Sequence, residues 1–147
     1  MTKFEVEEFE PSDLIGFMPQ DSQLEDFRWT ADVNWKEYRK RGFVLTARLY
    51  GEVVCVGGIV NLLPRIGECW IVVGHQVHHA ELRYLFKAFK RVLQSELQTA
   101  YDRIQMTVDT DFEPGVRMAE MLGMSRDGEM KNYPAKHRNS YLYSRTS

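Results

Sequence analysis

The spacing of apolar and polar residues changes period several times along the chain, and each change marks an element. Residues 3–9 alternate, with Phe4 and Val6 opposing Glu5, Glu7 and Phe9, which predicts a half-solvated edge strand ending before Pro11. Ser12 is placed to cap a short helix reaching Gly16. Asp32 or Asn34 can cap a second helix from Trp35 to Lys40, closed by Gly42. Residues 43–50 and 53–60 are β-branched and aromatic runs separated by Gly51, so they read as a hairpin. After a turn at 64–67, residues 68–73 supply a third antiparallel strand. Gly57-Gly58 removes two side chains in mid-strand, the signature of a bulge or of a close backbone approach.

From Ala80 to Leu97 the period becomes helical, with Leu82, Phe86, Phe89, Leu93 and Leu97 forming one apolar stripe. Ile104, Met106 and Val108 then alternate with polar neighbours as a strand buried on one face. Residues 113–122 predict a shorter helix, with Pro114 in its first turn and Gly123 as its stop. Two last strands are expected near 124–133 and 140–145, joined across Pro134. This order implies an α+β fold, a mixed α/β layer, in one domain spanning residues 1–147.

Composition narrows the function classes. With 44% hydrophobic and 27% charged residues the chain can build a packed core, which excludes a wholly disordered protein. Nineteen basic against twenty-one acidic side chains give a net charge of −2, so no bulk positive field draws it to nucleic acid or anionic lipid. The acidic start lacks the pattern of a secretion signal and no apolar run reaches membrane-spanning length, so the expectation is a cytoplasmic protein without a membrane partner. Cys55 and Cys69 form no CxxC pair and read as reduced, packed thiols. His75, His78 and His79 match no zinc spacing, so no metal is expected. Arg83, Lys87, Lys90 and Arg91 form a basic stripe on the long helix, either a solvated face or an anchor for phosphate or an acidic partner.

The passage from Trp35-Lys36-Glu37-Tyr38 through Gly42-Phe43-Val44, the hairpin LYGEVVCVGGIV, the strand ECWIVVG, the long helix, and MAEMLGM before a final strand pair resemble, in this order, the GCN5-related N-acetyltransferase (GNAT) superfamily. The closest flavour is that of small acetyltransferase-like proteins of tailed bacteriophages. The resemblance spans nearly the whole chain. It implies a mostly antiparallel central sheet with helices on both faces, and acetyl-CoA as the acyl donor. It would place the donor along Ile71, Val72, Val73 and Gly74, with its diphosphate at His75, His78, His79, Ala80 and Arg83, where a helix N-terminus favours anions. N–H groups near Val72 and Val73 would polarise the thioester carbonyl.

The resemblance also makes Glu68 the base that takes a proton from an amine. Trp70 shares its strand face, and an indole packed on the carboxyl would raise its pKa toward neutrality. Asp109 and Asp111 are the next carboxylates in line. Two positions depart from the family pattern: no second glycine follows Gly74, and Ala119 stands where many members carry a tyrosine that protonates the departing thiolate. Tyr133, Tyr141 or water is left for that proton. Two functions therefore stay open. One is acetyl transfer to a primary amine on a small molecule or on a protein lysine, such as one of a host protein. The other is a degenerate fold retained as a binding or virion-associated protein.

Overall fold

The computed structural model describes residues 4–20, 23 and 33–147. Seven strands, β1 (Phe4–Glu8), β2 (Gly42–Leu49), β3 (Glu52–Leu63), β4 (Ile66–Val73), β5 (Arg103–Asp109), β6 (Ser125–Met130) and β7 (Ser140–Thr146), form one sheet in the order β1-β2-β3-β4-β5-β7-β6. Among the described residues three α-helices accompany it, α1 (Trp35–Arg39), α2 (His79–Thr99) and α3 (Glu113–Met121). The chain divides into two compact units, Met1–Val60 with Cys69–Leu85, and Asn61–Glu68 with Phe86–Ser147.

In the first unit β1 pairs antiparallel with β2 from Phe4↔Leu49 to Glu8↔Leu45, and β2 pairs antiparallel with β3. The strand alternation stops one residue earlier than expected. Val6 is 44% exposed, while Phe9, placed by pattern on the opposite side from Phe4, is fully buried after its N–H turns to the Val44 carbonyl at 3.0 Å. Phe9, Trp35, Val44 and Val56 form a buried cluster with Tyr38 and Trp70 packed against it. Gly57-Gly58 is the close approach and not the bulge, because a Cβ on Gly58 would sit 2.1 Å from the Phe43 carbonyl oxygen. The register shift falls at Ala47/Arg48.

The expected helix after Pro11 is one 3-10 turn, Pro11–Leu14, and Ser12 lies inside it instead of capping it. Asp13 takes over the capping. Its buried carboxylate accepts from the Glu10 N–H (2.9 Å), the Thr46 hydroxyl (2.8 Å) and Arg48 Nη2 (2.6 Å), so its charge is fully partnered. Asn34 caps α1 by accepting the Glu37 N–H at 3.2 Å. Asp32, the other candidate, lies outside the described residues.

In the second unit β5 runs antiparallel to β7 along its whole length, Arg103↔Thr146 to Asp109↔Ser140, and parallel to β4 from Ile66↔Arg103 to Glu68↔Gln105. A parallel pair needs a crossover, and α2 fills that place in the chain order. The helical stripe is rotated from its expected centre. Leu85, Leu93 and Leu97 are the buried residues of α2, whereas Leu82, Phe86 and Phe89 are half-buried. Gly123 ends α3 at φ +83°, a conformation open to glycine, and its N–H returns to the Glu120 carbonyl at 3.0 Å. Beyond β6 the expected strand gives way to a loop at 131–139.

Candidate active site

In the second unit, Glu68 is the third residue of β4 and lies opposite Gln105 in the register with β5. The side chain is half-buried, and burial pushes its carboxyl above the ordinary value of 4.5 against a smaller opposing effect from a Gln105 hydrogen bond. Gln105 Oε1 accepts from Arg103 Nε at 3.1 Å. Arg103 Nη2 donates to Asp127 Oδ2 at 2.7 Å, and the Ser144 hydroxyl donates to the same oxygen at 2.6 Å.

Tyr133 is held by backbone bonds on both sides, its N–H to the Arg138 carbonyl (2.7 Å) and its carbonyl to the Ser140 hydroxyl (2.8 Å). Burial, and then the negative charge of Glu68, push its phenol up. The Glu68 carboxyl and the Tyr133 phenol, both expected from the sequence as site residues, are thus electrostatically coupled. Asp109 is committed elsewhere, accepting from Arg138 Nε at 3.2 Å and from the Asp111 N–H at 2.9 Å. Trp70, two residues beyond Glu68, donates its indole N–H to the Tyr38 hydroxyl and lies 6.3 Å from the Trp35 ring, so it belongs to the first unit's aromatic cluster.

In the first unit, the end of β4 has Ile71, Val72, Val73 and Gly74 all buried. The backbone groups expected to meet a ligand are already bonded. Gln23 gives its amide N–H to the Ile71 carbonyl and accepts the Val73 N–H, both at 2.9 Å. The Gln20 N–H goes to the Val73 carbonyl at 2.9 Å, Pro19 bridges Gly74, and the His75 N–H goes to the Met18 carbonyl at 2.9 Å. Residues 18–20 and Gln23 thereby supply partners to the end of β4. The Val73 N–H expected to polarise a thioester is among the groups taken.

The loop before α2 is also engaged. The Val77 N–H returns to the Gly74 carbonyl at 3.2 Å, and the His78 N–H meets the Glu81 carboxylate at 3.3 Å. Glu81 sits in the first turn of α2, so an acidic side chain occupies the N-terminal position that suits an anion. His75, His78, Ala80 and Arg83 are exposed. The His79 side chain lies outside the described residues. As they stand, these groups do not offer a diphosphate a ready cradle.

No family model and no curated protein sequence matches the chain. Solved structures do. The GNAT-family acetyltransferase of Streptococcus pneumoniae superposes with a TM-score of 0.70 at 17% identity, covering 99% of this chain and 100% of that one. The chain has the GNAT fold. An N-acetyltransferase from Staphylococcus aureus Mu50 shares the GNAT fold seen here with a TM-score of 0.69 at 12% identity over 98% of both chains. A spermidine/spermine N-acetyltransferase from Vibrio cholerae matches with a TM-score of 0.70 at 11% identity over 97% of this chain and 92% of that one. At such identities the likeness speaks for the GNAT fold.

Arg103 and Gln105, and the β4 partners Gln20 and Gln23, were not among the site residues expected from sequence. The strand alternation around Ile104 and Met106 put Arg103 and Gln105 on one polar face, and that was the available signal.

Proposed function

We propose that the protein is an acetyl-CoA-dependent N-acetyltransferase acting on a primary amine. The observation that carries this reading is the half-buried Glu68 on β4, its carboxyl raised by burial, at the strand position where the GNAT resemblance expects a base. The neutral amine would attack the thioester carbonyl to give a tetrahedral adduct. Glu68 would accept the proton lost from nitrogen, directly or through water. Collapse of the adduct would break the C–S bond, and Tyr133 would protonate the departing thiolate. The donor would lie along the end of β4, which requires it to take over the backbone groups now bonded by Gln20 and Gln23.

A second reading is supported by those same bonds and by Glu81: a GNAT fold kept for binding another partner, without acyl transfer. Calorimetry with acetyl-CoA, combined with release of free CoA in the presence of a panel of amines that includes spermidine and a lysine peptide, decides between them. The transferase reading expects donor binding and amine-dependent CoA release. It also expects Glu68→Gln to keep donor affinity while lowering transfer by at least about 10²-fold, the lower range for loss of a general base. Absence of both binding and release leaves the second reading.

A further inference from the structure

We propose that Gln105 is the positioning residue for Glu68, its amide held in one orientation by Arg103 so that its NH2 group is aimed at the Glu68 carboxylate. The inference deepens the transferase reading and rests on Glu68 being its base. Three observations in the second unit carry it. Glu68 and Gln105 are register partners across the parallel β4–β5 pair, so their side chains leave the sheet side by side. Arg103 Nε meets Gln105 Oε1 at 3.1 Å, and a guanidinium has donors only, so the atom that faces it is the amide oxygen and the NH2 group is left for Glu68. Arg103 is itself fixed, by Asp127 at 2.7 Å, which accepts a second bond from Ser144.

The chemistry of this chain differs from that of a direct ion pair. An arginine touching Glu68 would hold the carboxylate ionised at the expense of its basicity. Here the arginine's charge is met by Asp127, whose carboxyl is held below the usual range first by the Ser144 hydroxyl and then by Arg103. What reaches Glu68 from Gln105 is a neutral amide dipole. It orients the carboxylate and partly counters the burial that raises its pKa. Gln105 on β5 lies in register with Glu68, the Tyr133 phenol in the loop at 131–139 feels its charge, and Arg103 and Asp127 stand one step behind.

The test is a carbon-detected titration of the side-chain carboxyls in the full chain, with Glu68→Gln assigning the Glu68 resonance. The expected result is a Glu68 midpoint that moves further up by about one pH unit in Gln105→Met, which keeps bulk and removes both polar ends. Arg103→Lys keeps the positive charge but loses the planar fork, and should move the midpoint in the same direction by less. An unchanged Glu68 midpoint in the folded Gln105→Met variant overturns the proposal; should that variant fail to fold, an unchanged midpoint in Arg103→Lys does so. The acid limb of kcat/KM should follow the midpoint, with the acetyl-CoA KM unmoved. A midpoint that shifts while the rate profile stays put, or while no transfer occurs, upholds the role of Gln105 and removes Glu68 as the base.

Discussion

Burial holds the Glu68 carboxyl above its ordinary value, and this has a consequence for stability. Its folded pKa lies above the unfolded one, so its contribution is fully present below the ordinary value of 4.5 and is lost as pH rises through the folded value. Glu68→Gln removes that loss. The urea midpoint of the variant should therefore gain on the parent between pH 4 and pH 7, and a constant difference across that range would show that burial does not perturb this carboxyl. Tyr133→Phe is the complementary change. It removes the phenolic proton and leaves the ring, so transfer should fall by about 10²-fold with little change in unfolding midpoint. A thiol leaving group of low pKa, offered as an activated thioester, should recover much of the lost rate if Tyr133 serves the leaving group.

Among the elements, the end of β4 and the middle of α2 make the sharpest claims. Gln23 satisfies one donor and one acceptor of β4 with a single side chain, and each bond contributes about 0.5–1.5 kcal/mol. A donor that must replace them binds a state in which they are broken. Gln23→Ala should then tighten acetyl-CoA binding by about 5- to 150-fold in calorimetry, whereas weaker binding would mean that Gln23 helps to hold the ligand. In α2, Leu93 is fully buried and Phe89 only half-buried. Leu93→Ala should cost about 2–5 kcal/mol by urea unfolding, and Phe89→Ala less than the full-burial cost of an aromatic. Hydrophobic period located this helix, but the stripe it gave runs through Leu82, Phe86 and Phe89, because a spacing of three or four residues defines a face only to within the width of one side chain. Leu85 belongs to the same face and becomes visible only when the helix is seated.

At the scale of the molecule, the order of elements was legible because each has its own period and its own stop: Gly51 between two β-branched runs, Pro114 and Gly123 around a short helix, the switch from two to three-and-a-half at Ala80. Glu68 and Tyr133 entered as candidates through the GNAT resemblance and not through local pattern. Arg103 and Gln105 were legible only as a polar strand face and Gln23 not at all, because what they do depends on the β4–β5 register and on the bonds that residues 18–20 and 23 make to the end of β4, which local sequence does not encode. The two cysteines add a property of the whole native state. Both are buried, and burial pushes the Cys55 thiol up to about 12. A disulfide reagent added to the folded protein near neutral pH should therefore find almost no reactive sulfur on the chain, so that colour developing in an assay of the proposed transfer would report liberated CoA. The same reagent should titrate two thiols once urea unfolds the protein, which turns a product assay into a clock for global opening.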